Sequence, residues 1–365
     1  MHVRNLRFAG GIAILTLTAG LALAEKAPSE GVVTSSYKQP GYKAPRAPDG
    51  HADLQGVWSN NTATPLQRPK ELEGKEFLTG QEVAGLKKAA DQIFQGGASD
   101  AGFGDQVFTA ALQNYLGKQK GFVTSDGKTG DYNSAWTIQR DWNNRTSLII
   151  DPKDGRLPEL TARAKELAAR PTYVEGSNNG KRPDSYEDIA LSVRCVTRGV
   201  PYIMQGYNSY MQIFQTKTVV VIQQEMYHFS RMVHLDGSHP PANIQFRQGD
   251  SRGHWEGDTL VVDTTNFLPN SMSLGILASP VSTDKLHMVE RFQRTAPDYL
   301  TWTVTFDDPG VWVRPWTAEI PIRRTDDAIY EVACHEGNYG MQGIMAGARA
   351  EDAVEARGKT GSASK

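Results

Sequence analysis

Side chains that move protons or hold charge crowd into one stretch, Tyr227-His-Phe-Ser-Arg-Met-Val-His-Leu-Asp-Gly-Ser-His239. Read as one unbroken strand over residues 221–235, it alternates its side chains between two faces. His228, Ser230, Met232 and His234 share one face. Tyr227, Phe229, Arg231, Val233 and Leu235 share the other, where Arg231 is the one charge on an apolar stripe. Inside a barrel such a cation needs an anionic partner or ligand. His228 is mid-strand and carries the ring that ordinarily titrates near neutrality, so it is the acid–base candidate.

The segment His287-Met-Val-Glu-Arg291 puts His287, Val289 and Arg291 on one strand face and Glu290 on the other. If Glu290 points inward it pairs Arg231, as an ion partner or a second acid. Gly253-His-Trp-Glu-Gly-Asp258 adds His254 and Trp255, with Arg252 just before them, while Glu256 and Asp258 read as hairpin-turn residues. The expected site is therefore His228, Arg231 and Glu290 as catalytic groups, with Tyr227, Arg252, His254 and Trp255 binding substrate. His234, Asp236 and His239 form the alternative set for a metal, but their spacing is not diagnostic and no metal or other cofactor is expected. Trp302, Trp312 and Trp316 read as core rather than pocket lining.

Cys195 and Cys334 are the only cysteines, and in an oxidising compartment they form one disulfide. Closing a loop of that length is worth at most roughly 4–5 kcal/mol. The rival reading, a nucleophilic Cys334 beside His335, is weakened because neighbours on a strand point to opposite faces.

The compartment follows from the N-terminus. Arg4 and Arg7 precede an apolar run over residues 12–23, and Ala22-Leu23-Ala24 fits a small-x-small cleavage pattern. The run is shorter than the roughly 20 residues of a membrane span. Residues 1–24 are thus expected to be a cleaved signal peptide and the mature chain to be periplasmic, with no span of its own. The chain has 365 residues, with 39 Lys and Arg against 41 Asp and Glu, a formal charge of −2. That balance argues against a broad nucleic-acid surface.

These groups need elements to position them. Residues 25–50 read as an extended leader, and residues 51–200 as a helix- and loop-rich part. Thr79-Gly-Gln-Glu82 is a capping box that predicts a helix to about residue 94. Further helices are predicted over residues 106–116 and 161–169, loop over 96–106 and 117–135, short strands over 137–142 and 147–150, and a capped turn at Ser185-Tyr-Glu-Asp188. Residues 201–340 carry β-rich runs at 211–214, 219–235, 253–255, 259–264, 285–294, 300–307, 311–324 and 328–332. Turn signals such as Asp236-Gly237 and Asp308-Pro-Gly310 separate them. Residues 341–357 read as helix, and the chain ends in a disordered tail. The fold class is mainly β, α+β overall. An antiparallel meander closes into a lipocalin-like barrel, with the N-terminal part wrapped around it. No G-x-G-x-x-G, P-loop, G-x-S-x-G, H-E-x-x-H or C-x-x-C segment occurs.

Several stretches together carry a resemblance. They are residues 144–161, Arg194-Cys-Val-Thr-Arg-Gly-Val-Pro201, His228-Phe-Ser-Arg231, Leu235-Asp-Gly237, Gly253-His-Trp-Glu-Gly-Asp-Thr-Leu-Val-Val-Asp263, His287-Met-Val-Glu-Arg291, Asp307-Asp-Pro309 and Arg314-Pro-Trp316. Over residues 51–350 the chain resembles a large family of exported, mostly uncharacterised proteins of Gram-negative bacteria. The resemblance implies a periplasmic address and no activity. The family pattern has Arg after Asp-Gly where this chain has Ser238, so an anion contact from that position is missing or moved. The C-terminal meander is loosely similar to lipocalin-like barrels, which enclose one small ligand.

The expected function is an acid–base enzyme, a lyase, isomerase or hydrolase without a redox cofactor. Its substrate would be a small organic molecule, a glycoside or plant-derived aromatic, entering the barrel mouth. The alternatives are a non-catalytic periplasmic binding protein and a structural envelope protein. The oligomeric state is open.

Overall fold

A computed structural model describes residues 37–94, 102, 104–122, 139–168, 182–189, 191–197, 199–203, 208–269 and 282–362. The signal segment, the leader up to residue 36, parts of the two loops at 96–106 and 117–135, the start of the 137–142 strand and the last tail residues lie outside them.

Period-two alternation builds most of the molecule. The strands are β1 (Gly56–Ser59), β2 (Ile149–Asp151), β3 (Tyr210–Gln215), β4 (Val219–Gln224), β5 (Ser230–His234), β6 (Asp250–Glu256), β7 (Thr259–Thr265), β8 (His287–Ala296), β9 (Tyr299–Asp307) and β10 (Trp316–Thr325). In β8 the residues Met288, Glu290, Phe292 and Arg294 are buried, and their neighbours along the strand are not. Met288 and Phe292 pack in the barrel core with Trp58, Trp302, Phe306 and Trp316. Each large apolar side chain so buried contributes about 1.5–3 kcal/mol. The three tryptophans read as core are core: Trp302, Trp312 and Trp316 are at most 2% exposed.

Nine strands close into a barrel in the order β1-β3-β4-β5-β6-β7-β8-β9-β10, with β10 returning to β1. β1 comes from the part of the chain read as helix and loop, and its four residues gave too short a pattern to stand out. β10 is long enough to use one edge twice, pairing β2 at Thr317 and Ala318 and β1 from Arg323 to Thr325.

Four local expectations are corrected. The strand over residues 221–235 is broken: β4 ends at Gln224, a short 3-10 turn spans Met226–His228, and β5 returns antiparallel with Val221 opposite Met232. Tyr227 and His228 take left-handed backbone conformations (φ 61° and 54°). No glycine marks the turn. The buried Glu225 carboxylate anchors it instead, accepting from the backbone N–H of Tyr210 (3.4 Å) and Tyr330 (3.1 Å). The meander is also not wholly antiparallel. β5 and β6 pair in parallel at Val233–Ser251 and His234–Arg252, because residues 235–249 carry the chain back before β6 begins. Residues 328–332 form no strand, and β10 starts at Trp316 rather than Val311. The Asp308 carbonyl holds the amides of Val311 and Trp312 in a turn, both at 2.9 Å.

Helices α1 (Gly80–Phe94) and α2 (Gln106–Tyr115) make a second core, with Val83, Leu86, Ile93 and Phe94 against Phe108 and Trp142. The capping box is as the sequence predicts. Glu82 accepts from the Thr79 amide at 2.8 Å, and Thr79 Oγ1 accepts from the Glu82 amide at 3.2 Å. Helix α3 (Ala162–Ala168) and the capped turn at Ser185 follow their predicted positions, and α4 (Gly340–Ser362) runs longer than predicted. Cys195 and Cys334 are disulfide-bonded.

Candidate functional site

Inside the barrel, alternation turns Arg231 of β5 and Glu290 of β8 toward each other. Both Arg231 Nη atoms donate to the Glu290 carboxylate, Nη2 to Oε1 at 2.9 Å and Nη1 to Oε2, and Trp302 Nε1 also donates to Oε1 at 3.1 Å. Glu290 is fully buried and Arg231 nearly so. The pair adjoins a pocket lined by Val200, Tyr202, Gln224, Phe229, Arg231 and Trp302, with room for about one water molecule. An anionic ligand would have to displace Glu290 from Arg231 to bind there.

The other expected site residues do not join this pair. His228 is exposed on the 3-10 turn, because the break in the strand removes it from the alternation. Tyr227 OH donates to the Ser192 carbonyl at 2.8 Å. Trp255 stacks on His51, rings 4.6 Å apart and nearly parallel, while His254, its neighbour on β6, is exposed and contacts Glu256 at 3.2 Å. Arg252 Nε and Nη2 grip Asp250 at 2.7 and 2.9 Å.

The densest chemistry lies on the outer wall. On β6–β8 the residues Asp250, Arg252, Asp263 and His287 occupy positions that alternate with the buried Ser251, Val262, Thr264 and Met288. Arg252 is opposite Asp263 and Thr264 opposite Met288, so Asp250 and His287 are the diagonal neighbours of Asp263 on either side. His287 Nε2 meets Asp263 Oδ2 at 2.7 Å. From the 235–249 crossover, His239 inserts between the two carboxylates. Its Nδ1 is 2.7 Å from Asp250 Oδ2 and its Nε2 is 2.8 Å from Asp263 Oδ1. The result is a continuous chain Arg252–Asp250–His239–Asp263–His287.

Its electrostatics are those of linked ion pairs. The hydrogen bond to Asp263 raises His287 above the ordinary imidazole value; partial burial opposes this, and the charges of Asp263 and Asp307 reinforce it. The same bond from His287 holds Asp263 below the carboxylate range, against burial and with help from His239. Burial would raise Asp250, but Arg252 and His239 together hold it low. A carboxylate that orients one imidazole nitrogen while the ring remains half-exposed is an arrangement that can give or take a proton.

His234, Asp236 and His239 are not gathered into a cluster. Among the described residues no group of three or more His, Cys, Asp or Glu side chains is placed to hold a metal ion. Sequence reasoning missed Asp250, Asp263 and His287 as site members. Asp263 and His287 were visible only as polar residues of alternating strands, Asp250 lay outside the predicted 253–255 run, and the register that brings them together is not local information.

Against known proteins, the chain matches no protein-family model, no curated protein and no solved structure.

Proposed function

We propose that the protein is an exported acid–base catalyst acting on a small organic molecule, in the class of lyases, isomerases or hydrolases. The observation that carries this reading is the half-exposed His287, hydrogen-bonded through Nε2 to a carboxylate that His239 also holds. In this reading His287 moves the proton and Asp263 orients the ring and stabilises its charged form. His239 and Asp250 position Asp263. Arg231 and Glu290 are structural. A glycoside or plant-derived aromatic remains the substrate class, now approaching the outer wall rather than entering the barrel. The small size of the pocket beside Arg231 favours this over a carrier that encloses its ligand there. No redox cofactor enters the reading, because the sequence carries no nucleotide-binding motif.

A periplasmic address is part of the proposal. It is supported by the signal-like residues 1–24, by the motif resemblance to exported proteins and by the disulfide. Among the described residues no helix is long and apolar enough to cross a membrane.

The test is a panel of aryl glycosides, aryl esters and hydroxycinnamate esters, with products followed by mass. Any conversion is then repeated with His287→Asn, His228→Ala and Arg231→Met. General acid–base catalysis contributes about 10²–10⁴-fold, so His287→Asn should lower kcat by that factor with the fold intact. His228→Ala should keep the wild-type rate. Conversion that survives His287→Asn at full rate overturns the reading.

A further inference from the structure

Residues 235–249 leave β5, pass over the outer wall and return as β6, and only two residue pairs join β5 to β6. The far half of this crossover is pinned independently of charge. Asn266 Nδ2 donates to the carbonyls of Ile244 (2.8 Å), Pro241 (3.1 Å) and Pro240 (3.3 Å), and the Phe246 amide donates to the Asn266 carbonyl at 2.8 Å. The near half, residues 236–239, is held differently. Asp236 gives its carbonyl to Arg252 Nη1 at 3.1 Å, and Asp236, Gly237 and Ser238 are exposed. Between Leu235, whose amide donates to the Thr218 carbonyl at 2.9 Å, and Pro240, the other attachment of this stretch is the His239 ring.

That ring faces an acceptor on each side. Carboxylates only accept, so two contacts at 2.7 and 2.8 Å call for two N–H donors, which only the doubly protonated imidazole has. Asp250 and Asp263 are on adjacent strands, and a cation between them removes their mutual repulsion. Loss of one proton turns one ring nitrogen into a lone pair facing a carboxylate oxygen. One attraction becomes a repulsion and the two anions regain theirs.

We propose that His239 is a proton-operated clip that fastens the near half of the 235–249 crossover to the barrel wall and, through Asp263, sets the acid–base pair beside it. The proton goes to solvent, and residues 236–239 lift between Leu235 and the Asn266 anchor at Pro240. The charged groups facing the clip are Asp236 from the crossover, Asp250 and Arg252 from β6, Asp263 from β7, His287 from β8 and, beyond it, Asp307 from β9. The contacts favour the charged forms of Asp250, Asp263 and Arg252, so the ring is flanked by two anions. The release of the crossover stands on geometry alone, whereas its effect on catalysis rests on the reading of His287 and Asp263 given above.

The experiment is a spin label at Ser238→Cys in the oxidised full-length mature protein, with and without His239→Gln. Spectra are taken at about pH 5 and about pH 9, on either side of the imidazole range. Losing one charge-assisted hydrogen bond should raise the mobile fraction roughly tenfold at the higher pH in the wild-type background. In His239→Gln the label should be mobile at both. Equal mobility of the wild-type background at both pH values overturns the clip, as does an immobile label in a folded His239→Gln. If His239→Gln does not fold, the wild-type pH series decides alone. Turnover in His287→Asn is read separately, so a pH-dependent label with unaffected turnover sinks the catalytic reading and leaves the clip standing.

Discussion

Arg231 and Glu290, 59 residues apart in the chain, meet across the barrel interior as a two-point ion pair with Trp302 as a third donor. Desolvating two charges is costly, and the attraction offsets that cost only while both partners are present. Glu290→Gln leaves Arg231 buried without its counter-charge, so it should lower stability by about 3–5 kcal/mol. The apolar double variant Arg231→Met with Glu290→Leu should recover most of that loss. Urea unfolding of the three proteins checks both statements. A small effect of Glu290→Gln alone would mean that water reaches Arg231.

Asp263→Asn should bring His287 back down toward the ordinary imidazole value, seen as a shifted midpoint in an NMR titration of its ring protons. The linkage has two ends. His287 is raised in the folded state, so its contribution is complete below the ordinary imidazole pKa and is lost as pH rises through the raised value. Asp263 is lowered, so its contribution is present above the ordinary carboxylate pKa and is lost as pH falls through the depressed value. Wild-type stability should therefore plateau between these limits, and the plateau should flatten in Asp263→Asn. Both side chains are more than a third exposed, so solvent screening limits the effect to about 1 kcal/mol or less.

Reducing the disulfide should free the C-terminal segment before it unfolds the barrel. Residues 326–339 form no helix or strand and are mostly exposed. They and α4 hold on mainly through polar contacts, the Tyr330 amide to Glu225, Asn338 to the Val193 carbonyl, Arg349 to the carbonyls of Pro183 and Asp184, and Arg182 to Asp352 and Glu355, with Val332 packed against Tyr202 and Met226. Brief chymotrypsin treatment should cut the reduced protein at the exposed Tyr330 and Tyr339 faster than the oxidised one and leave a barrel-sized fragment, read by mass. The loss of stability should not exceed roughly 4–5 kcal/mol, the loop-closure value. An unchanged rate of chymotrypsin cutting after reduction would show that these contacts hold the segment without the disulfide.

What the chain states locally, the sequence determined. The Thr79–Glu82 box sets the start of α1 because both partners are three residues apart. Alternation in β8 separates Glu290 from His287 and Arg291 because a strand has a period of two. Two cysteines in an exported-looking chain allow one intramolecular bond. The turn at residues 225–229 escaped notice because it is held by Glu225 reaching Tyr210 and Tyr330, far along the chain, rather than by a glycine or proline of its own. The closing strand β1 is four residues long and becomes a strand only when β3 and β10 flank it. The candidate site needed still more: the register of β6, β7 and β8, which makes Asp250 and His287 diagonal neighbours of Asp263, and the parallel return of the crossover, which delivers His239 between the two carboxylates. Register and return path are set by how whole faces pack, so only the tertiary structure could bring these residues together.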